Sequence, residues 1–176
     1  KTSLTNYPTN FLLNRASNVL KLCEELAWQS RCALLIENNV AKIKYISEAA
    51  TPVKTVTNTD ILEDSIVLDQ TDLLDIVTII KSNWWEYYNE EPRKYVYKYN
   101  TTKYGDVIAD ENFWSYNIKS LTEKSTQFWT KRNANCWRTI KLTMFIPQID
   151  LEVYDTLRID STAAPFGSAN IDTIIT

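Results

Sequence analysis

The side chains best suited to recognition chemistry in this sequence are aromatic and cluster between residues 84 and 99. The candidate residues are Trp84, Trp85, Tyr87, Tyr95, Tyr97 and Tyr99. Aromatic rings supply large, rigid contact areas for protein partners and flat faces on which sugars can stack. The cluster therefore predicts an interaction surface. The competing interpretation is that these rings pack against a neighbouring layer of the fold.

The residue types that carry out most enzymatic chemistry are absent. The chain contains no histidine, which removes the commonest general base and the commonest zinc ligand. Two glycines cannot build a phosphate-binding loop, and no Gly-x-Ser-x-Gly nucleophile motif occurs. Adjacent carboxylates such as Glu24-Glu25 and Glu90-Glu91 lie in no predicted apolar pocket that would create an acid–base pair. We therefore predict that the protein is not an enzyme and uses no cofactor.

Neither the cysteines nor the acidic residues have the spacing of a metal site. Cys23, Cys32 and Cys136 form no close pair in sequence. Cys23 falls on the apolar stripe of a predicted helix, which favours a buried thiol and a reducing site of folding. The acidic residues between Asp60 and Asp75 lack the spacing and the glycine of a calcium loop, so they are expected to cap turns and face solvent.

Charge and hydropathy exclude two further classes of function. The net charge of −3 and the pI near 5.1 argue against electrostatic nucleic-acid binding, which needs a basic surface. No apolar run approaches the roughly 20 residues that span a bilayer, and no signal-peptide pattern follows Lys1. The last residues, from Ala169 to Thr176, have the pattern of a beginning strand. We therefore expect the chain to be a piece of a longer protein.

Periodicity predicts an α+β fold with two amphipathic helices and mainly antiparallel hairpins, because short connections favour antiparallel pairing. The helices are expected from Thr9 or Asn10 to about Ser30, and from a capping box at Ser120–Glu123 to about Arg132. In order, the expected strands are Arg31–Ile36, Val40–Ile46, Ser65–Leu68, Asp75–Tyr88, Arg93–Asn100, Cys136–Ile146 and Thr156–Ile159. In Val40–Ile46, Ala41, Ile43 and Tyr45 are predicted to form a buried face. A single helical turn is expected at Ile61-Leu62.

Turn residues separate these elements at two informative positions. Tyr104-Gly105 follows the aromatic hairpin, and a glycine in a chain so poor in glycine indicates a backbone with φ > 0. Asp155 ends the corner Leu151-Glu152-Val153-Tyr154-Asp155. Tyr104, Gly105 and Asp155 are therefore predicted as structural turn residues.

Four short motifs, taken in this order, resemble one protein family. They are the helix Arg15–Cys23 leading into the hairpin Ala33–Ile43, the Thr-Asp turn in Val56–Leu62 before Asp75–Thr78, the Tyr-Gly turn in Thr102–Gly105, and the corner Leu151–Asp155. The order resembles the tail-hub or tail-tip proteins of tailed bacteriophages, the baseplate-hub family shared with contractile injection systems. The corner is similar to that family's Leu-Glu-x-Gly-Asp, with Tyr154 in place of glycine.

The resemblance implies a structural protein of the phage tail that assembles through protein–protein contacts. It implies other tail proteins as partners, a homotrimeric full-length protein, and a location in the virion tail or in a prophage-encoded particle after folding in the bacterial cytoplasm. A carbohydrate-binding module that stacks sugars on Trp84, Trp85 and Tyr97 is the alternative. We expect residues 1–9 to be a linker, 10–160 a tail-hub-like module, and 161–176 the start of a further segment. The module divides into about 10–56 with 100–160, and the aromatic hairpin region 64–100.

Overall fold

Three α-helices and ten strands lie within the described residues, and they form the α+β fold with mainly antiparallel pairing that the sequence predicts. The computed structural model describes residues 8–13, 17–37, 39–48, 51–62, 64–145, 150–160 and 170–176. Contacts group the chain into two units, residues 1–47 with 72–136 and residues 48–71 with 137–176. Each unit therefore combines two segments that are distant in sequence. Most of the predicted linker, residues 1–7, lies outside the described residues.

Helix α1 spans Val19–Gln29 and begins later than its apolar periodicity predicts. The side chain of Asn18 accepts hydrogen bonds from the backbone amides of Leu20 and Lys21, at 3.0 and 3.2 Å. Asparagine satisfies these amides well as a cap, so the helix begins there, and residues 10–13 and 17–18 are not helical. The buried side of α1 includes Ala27 and Gln29. Cys23 faces elsewhere and is exposed, so the predicted buried thiol is wrong.

Strands β1, Cys32–Glu37, and β2, Val40–Tyr45, form the predicted antiparallel hairpin. Asn39 turns the chain with φ of 62°, a left-handed conformation that asparagine tolerates. Burial falls from the base of the hairpin, where Cys32 is buried, towards the turn, where Ile43 is 56% exposed. The predicted buried face at Ala41 and Ile43 is therefore wrong, because nothing in the described residues covers that end of the ribbon.

A three-stranded sheet in the order β6-β5-β7 positions the aromatic residues. Its strands are β5, Ile79–Trp84, β6, Arg93–Lys98, and β7, Ile108–Phe113. Strand β6 is antiparallel to β5, as the predicted hairpin requires, whereas β7 is parallel to β5. The parallel pair arises because the chain crosses back through β6 and the single-turn helix α2, Thr101–Tyr104, before β7 begins.

Helix α3, Lys119–Asn133, packs against β5 and β6. It buries Leu121, Ser125, Phe128 and Trp129, as its stripe predicts. It also buries Thr122, Thr126 and Thr130, which repeat every four residues and add a second row. The predicted capping box is wrong, because Ile118 occupies the N-cap and Ser120 lies inside the first turn.

Stacked aromatic rings fill the core between α1, β7 and α3. Trp28 lies parallel to Phe113, with ring centroids 5.4 Å apart, and to Trp129, at 5.2 Å. Phe113 in turn stacks on Tyr116 at 5.9 Å. Offset stacking of this kind adds to the free energy gained from burying large rings. This stack therefore joins α1, the end of β7 and α3 in one aromatic core.

The second unit contains two further sheets. Strand β3, Lys54–Thr57, is parallel to β9, Thr156–Asp160, and β10, Asn170–Ile174, is antiparallel to β9. Strand β4, Val67–Gln70, pairs with β8, Arg138–Lys141. The core of this unit comprises Val56, Ile61, Leu157 and Ile159, and Ile66, Ile140, Leu142, Met144, Leu151 and Ile175 pack against it.

Two sequence predictions for the second unit are shifted. The helical turn is a 3₁₀ turn at Asn58–Asp60, and Thr57 and Asp60 form a reciprocal capping box around it. Of the predicted strand Cys136–Ile146, only Arg138–Lys141 forms a strand, and Met144 makes an isolated β-bridge with Ile61. Its predicted end at Ile146 lies outside the described residues.

Candidate interaction surface

The two faces of the β6-β5-β7 sheet have different environments. On the inner face Ser82 Oγ lies 2.6 Å from Thr126 Oγ1 of α3. Gln127 Nε2 of the same helix donates to Tyr95 Oη at 3.1 Å. Side chains alternate between faces along a strand, so positions level with Ser82 are covered by the helix. Of the intervening positions of β5, Ile79 is buried, Asn83 is half-buried and Lys81 is exposed.

Strand register decides where the six candidate aromatic residues lie. Trp84 shares the inner face with Ser82 and is 5% exposed, so it belongs to the core. Tyr95 is opposite Ser82, and Tyr97 is opposite Ile80, so both are half-buried on the covered face. Of the three remaining candidates, Trp85 is half-buried, Tyr99 is 37% exposed and Tyr87 is 58% exposed. Of the residues proposed for sugar stacking, Trp84 is too buried to offer a ring face, whereas Trp85 and Tyr97 are half-buried.

The turn of the aromatic hairpin, residues 85–92, carries its accessible aromatic surface. Tyr88 is 79% exposed and adjoins Tyr87. The amide of Glu90 donates to the carbonyl of Tyr87 at 3.2 Å, which closes the turn. Glu86 forms an ion pair with Arg93 at 2.7 Å. We call residues 85–92 the hairpin tip.

The open face of the sheet is polar and charged. Lys81 of β5, Lys94 of β6 and Asp110 of β7 border a depression of about 430 Å³. Val96 lies in the same depression and is 47% exposed. Asn83 Nδ2 donates to Asn112 Oδ1 at 2.9 Å across neighbouring strands. This face has basic side chains on β6 and an acidic side chain on β7.

A cavity of about 310 Å³ lies between α1 and the outer side of β7. Its lining includes the carboxylates of Glu25, Asp110 and Glu111, together with Trp114. Trp114 Nε1 donates to Glu25 Oε2 at 3.2 Å, which fixes that carboxylate. Burial raises the pKa of the Glu111 carboxyl, and the adjacent Asp110 carboxylate raises it further.

The raised pKa of Glu111 predicts how stability changes with pH. The folded protein binds the proton of the Glu111 carboxyl more tightly than the unfolded chain does. Protonated Glu111 therefore makes its full contribution to the free energy of unfolding at acidic pH, and this contribution is lost as the pH rises through the raised pKa. Glu111→Gln is therefore expected to increase the free energy of unfolding at neutral pH. In this variant the free energy of unfolding should also fall less between acidic and neutral pH than in the unaltered protein. Urea titrations across this range measure the effect, with exposed Glu24→Gln as the control. An unchanged pH dependence in Glu111→Gln would contradict the prediction.

Tyr104 and Gly105, predicted as turn residues, lie at the end of α2. The amide of Gly105 donates to the carbonyl of Thr101 at 2.8 Å, and its own carbonyl accepts from Thr78 Oγ1 at 2.7 Å. Gly105 has φ of 79° and ψ of −177°, a combination open almost only to glycine. The Gly105 turn therefore links α2 to Thr78, the residue before β5, in a backbone conformation that favours glycine.

Gly105→Ala is expected to lower the free energy of unfolding by about 1–3 kcal/mol, because alanine is strained in this conformation. No heavy atom lies within 4 Å of an added Cβ, so the cost comes from the backbone and not from a clash. Chemical denaturation measures it. Asp106→Ala, at the exposed neighbouring position, should change stability by less than about 0.5 kcal/mol. Equal stability of both variants would show that the glycine is dispensable.

Asp155 ends a tight corner, as its motif suggests. Its Oδ2 accepts from the amide of Glu152 at 2.9 Å, and its own amide donates to the carbonyl of Glu152 at 3.0 Å. Tyr154 has φ of 65°, a left-handed conformation at the position where the resembling family carries glycine. The amide of Tyr154 donates to the carbonyl of Ile175 at 2.8 Å, which ties the corner to the residues after β10.

A buried polar network at the end of α1 was not predicted from the sequence. Gln29 is 2% exposed, and its Oε1 accepts from the amide of Ser115 at 3.1 Å and from the Ser115 hydroxyl. The carbonyl of Gln29 accepts from Tyr116 Oη and, at 2.7 Å, from Ser125 Oγ. A glutamine near a helix end usually faces solvent, so its sequence context carries no signal for this role.

Metal-binding clusters and membrane-spanning helices are both absent from the described residues. Among them, no cluster of three or more His, Cys, Asp or Glu side chains could hold a metal ion. No helix in the described part of the chain has the length and apolar character needed to cross a membrane.

Comparison with known proteins finds similarity in fold and none in sequence family. No family model matches this chain, and no curated protein matches it. A prophage tail protein, gp18, from Listeria monocytogenes EGD-e aligns with 90% of this chain at a TM-score of 0.51 and 14% identity. A tail protein from Neisseria meningitidis MC58 aligns with 93% at a TM-score of 0.59 and 12% identity.

The aligned region is 47% of the Listeria chain and 50% of the Neisseria chain, so this protein spans about half the length of either. Identities this low establish a shared fold and not a shared site. The chain therefore has the fold found in about half of each of these two tail proteins.

Proposed function

We propose that this protein is a structural component of a phage-type tail, at the tail hub or tail tip, and that it works through protein–protein contacts without catalysis. The observation that supports this is the fold shared with two tail proteins over 90% and 93% of the chain. The partners are other tail proteins, and the full-length protein is a homotrimer. Its location is the tail of a virion or of a prophage-encoded particle.

The hairpin tip is the proposed docking site for a neighbouring tail protein. Tyr87 and Tyr88 are the accessible aromatic side chains there, and such residues are frequent at the centres of protein interfaces. Trp84, Tyr95 and Tyr97 support the tip from the covered face of the sheet. In this proposal the turn contacts the partner protein, and strands β5 and β6 hold the turn in position.

Particle association and oligomeric mass test the proposed function. We expect the protein to co-purify with assembled tails and to occupy hub or tip density in electron micrographs. We expect light scattering of the full-length protein to give three times its chain mass. Absence from purified tails would overturn the proposed function, and a full-length protein that is monomeric would overturn the trimer.

Substitutions at the tip test the docking site separately. Tyr87→Glu with Tyr88→Glu should leave circular dichroism and thermal unfolding nearly unchanged while preventing incorporation into tails. Trp84→Glu places a charge in the core and should unfold the domain. Lys124→Glu, on the exposed surface of α3, is the control. Normal incorporation of the double tyrosine variant would remove the tip from the interface.

A further inference from the structure

The central sheet ends in two strands whose outer edges pair with no other strand within the described residues, and on β7 the Asn112 carbonyl accepts from a side-chain donor, Gln29 Nε2, at 3.4 Å. Strand β6 pairs with β5 on one side, and β7 pairs with β5 on the other. An outer strand presents backbone N–H and C=O groups that can pair with a strand of another chain. The sheet can therefore be extended at either end.

The two outer strands carry opposite charge. Strand β6 contains Arg93, Lys94 and Lys98, all exposed, and no acidic residue. Strand β7 contains Asp110 and Glu111 and no basic residue. Lys98 has a weak surface pair with Asp106 at 3.5 Å, with both side chains about 60% exposed, so it can exchange partners at little cost.

The space beside β7 suits a basic side chain. The cavity of about 310 Å³ opens along this strand, and Glu25 adds a third carboxylate to those of Asp110 and Glu111. That volume is at the lower end of the range for small-molecule pockets. It accommodates a lysine or arginine side chain that reaches in from a strand laid alongside.

We propose that β6 of one copy of this protein pairs with β7 of a second copy, so that the sheet continues across the contact. Like edges repel, because β6 against β6 opposes bases and β7 against β7 opposes acids. Unlike edges attract. Strand β6 runs against β5 and β7, so a β6 added at β7 in the same sheet orientation is antiparallel to it.

A contact between unlike edges is heterologous, and repeated heterologous contacts close into a ring when the rotation between copies permits. The contact thus supplies a specific interface for the oligomer. This inference depends on the proposed function only for its setting in a tail ring. The association of purified chains tests it directly.

Reciprocal charge reversal is the test. One variant carries Lys94→Glu and Lys98→Glu, and the other carries Asp110→Lys, all at exposed positions. Each variant alone should self-associate at least about tenfold more weakly than the unaltered chain. In the first variant both edges are acidic and repel, and in the second the β7 edge has no net charge to attract the basic β6 edge. An equimolar mixture should recover association, because the acidic β7 edge of the first variant then meets the basic β6 edge of the second. Sedimentation velocity of the 176-residue chain measures this.

Salt and control variants sharpen the result. Association of the unaltered chain should weaken between about 0.05 and 0.5 M NaCl as screening increases. The controls Lys124→Glu with Lys131→Glu, and Glu24→Lys, make equal charge changes on exposed helix positions and should associate normally. Circular dichroism establishes that each variant is folded. A monomeric unaltered chain at low salt, normal association of either reversal variant, or no recovery on mixing would overturn the proposal.

The outcomes separate this inference from the proposed function. Recovery on mixing, in a protein absent from purified tails, supports the edge contact and removes the tail role. A protein present in tails whose reversal variants associate normally retains the tail role and loses the edge contact.

Discussion

Gln29→Leu is expected to lower the free energy of unfolding by about 2–4 kcal/mol. The amide and hydroxyl of Ser115 donate to Gln29 Oε1, and both Gln29 and Ser115 are buried. Leucine fills similar space but leaves both donors unsatisfied away from water, and a buried donor without a partner costs its full desolvation. Urea denaturation followed by tryptophan fluorescence measures the change.

Two further variants test whether the loss of stability comes from the Gln29–Ser115 hydrogen bonds and not from replacing a glutamine in general. Gln70→Leu, at an exposed site on β4, should change stability by less than about 0.5 kcal/mol. Ser115→Ala combined with Gln29→Leu should cost less than the sum of the single changes, because one unsatisfied donor is then removed. Strict additivity, or a Gln29→Leu cost equal to that of Gln70→Leu, would refute the network's importance.

Arg31→Ala is expected to lower the free energy of unfolding by about 2–3 kcal/mol. Arg31 is 8% exposed, and its guanidinium carbon lies 3.9 Å from the ring centroid of Phe128 and 5.2 Å from that of Tyr45. A desolvated guanidinium over an aromatic face contributes about 2 kcal/mol, and its aliphatic stem adds packing. Arg31→Lys keeps the charge but not the flat stacking surface, so its cost should be intermediate.

The backbone at this position supplies an internal check. Arg31 has φ of 59°, where glycine is unstrained and alanine is not. Arg31→Gly should therefore be no less stable than Arg31→Ala, the reverse of the usual order. Arg93→Ala, at an exposed arginine, should cost less than about 1 kcal/mol. If Arg31→Ala were as mild as Arg93→Ala, the stacking would contribute nothing measurable.

Local pattern was sufficient for the elements whose partners are close in sequence. The hairpins β1–β2 and β5–β6 were predictable because short turns join alternating strands and fix their pairing. The span of α3 and the strand at the end of the chain followed from periodicity in the same way. The left-handed conformation of Gly105 was predictable because a chain with so little glycine uses it where other residues are strained.

Tertiary structure decided the properties that depend on which face is covered. Trp84 and Tyr87 are three residues apart in one aromatic stretch, yet register places Trp84 under α3 while Tyr87 stands at the exposed tip. Composition cannot distinguish these positions, because both interpretations require the same residue types. The sequence therefore predicted the aromatic stretch only as a hairpin, and the fold shows which of its rings are accessible.

The α+β class, the hairpins and the turn at Gly105 could be predicted from sequence, because each follows from interactions within a few neighbouring residues. The parallel pairs β5–β7 and β3–β9, the buried network around Gln29 and the exposure of Cys23 became apparent only in the folded chain. These depend on segments that meet across long sequence separations, such as Gln29 with Ser115. The free energy of such contacts depends on the burial created by the whole fold, and no local pattern encodes it.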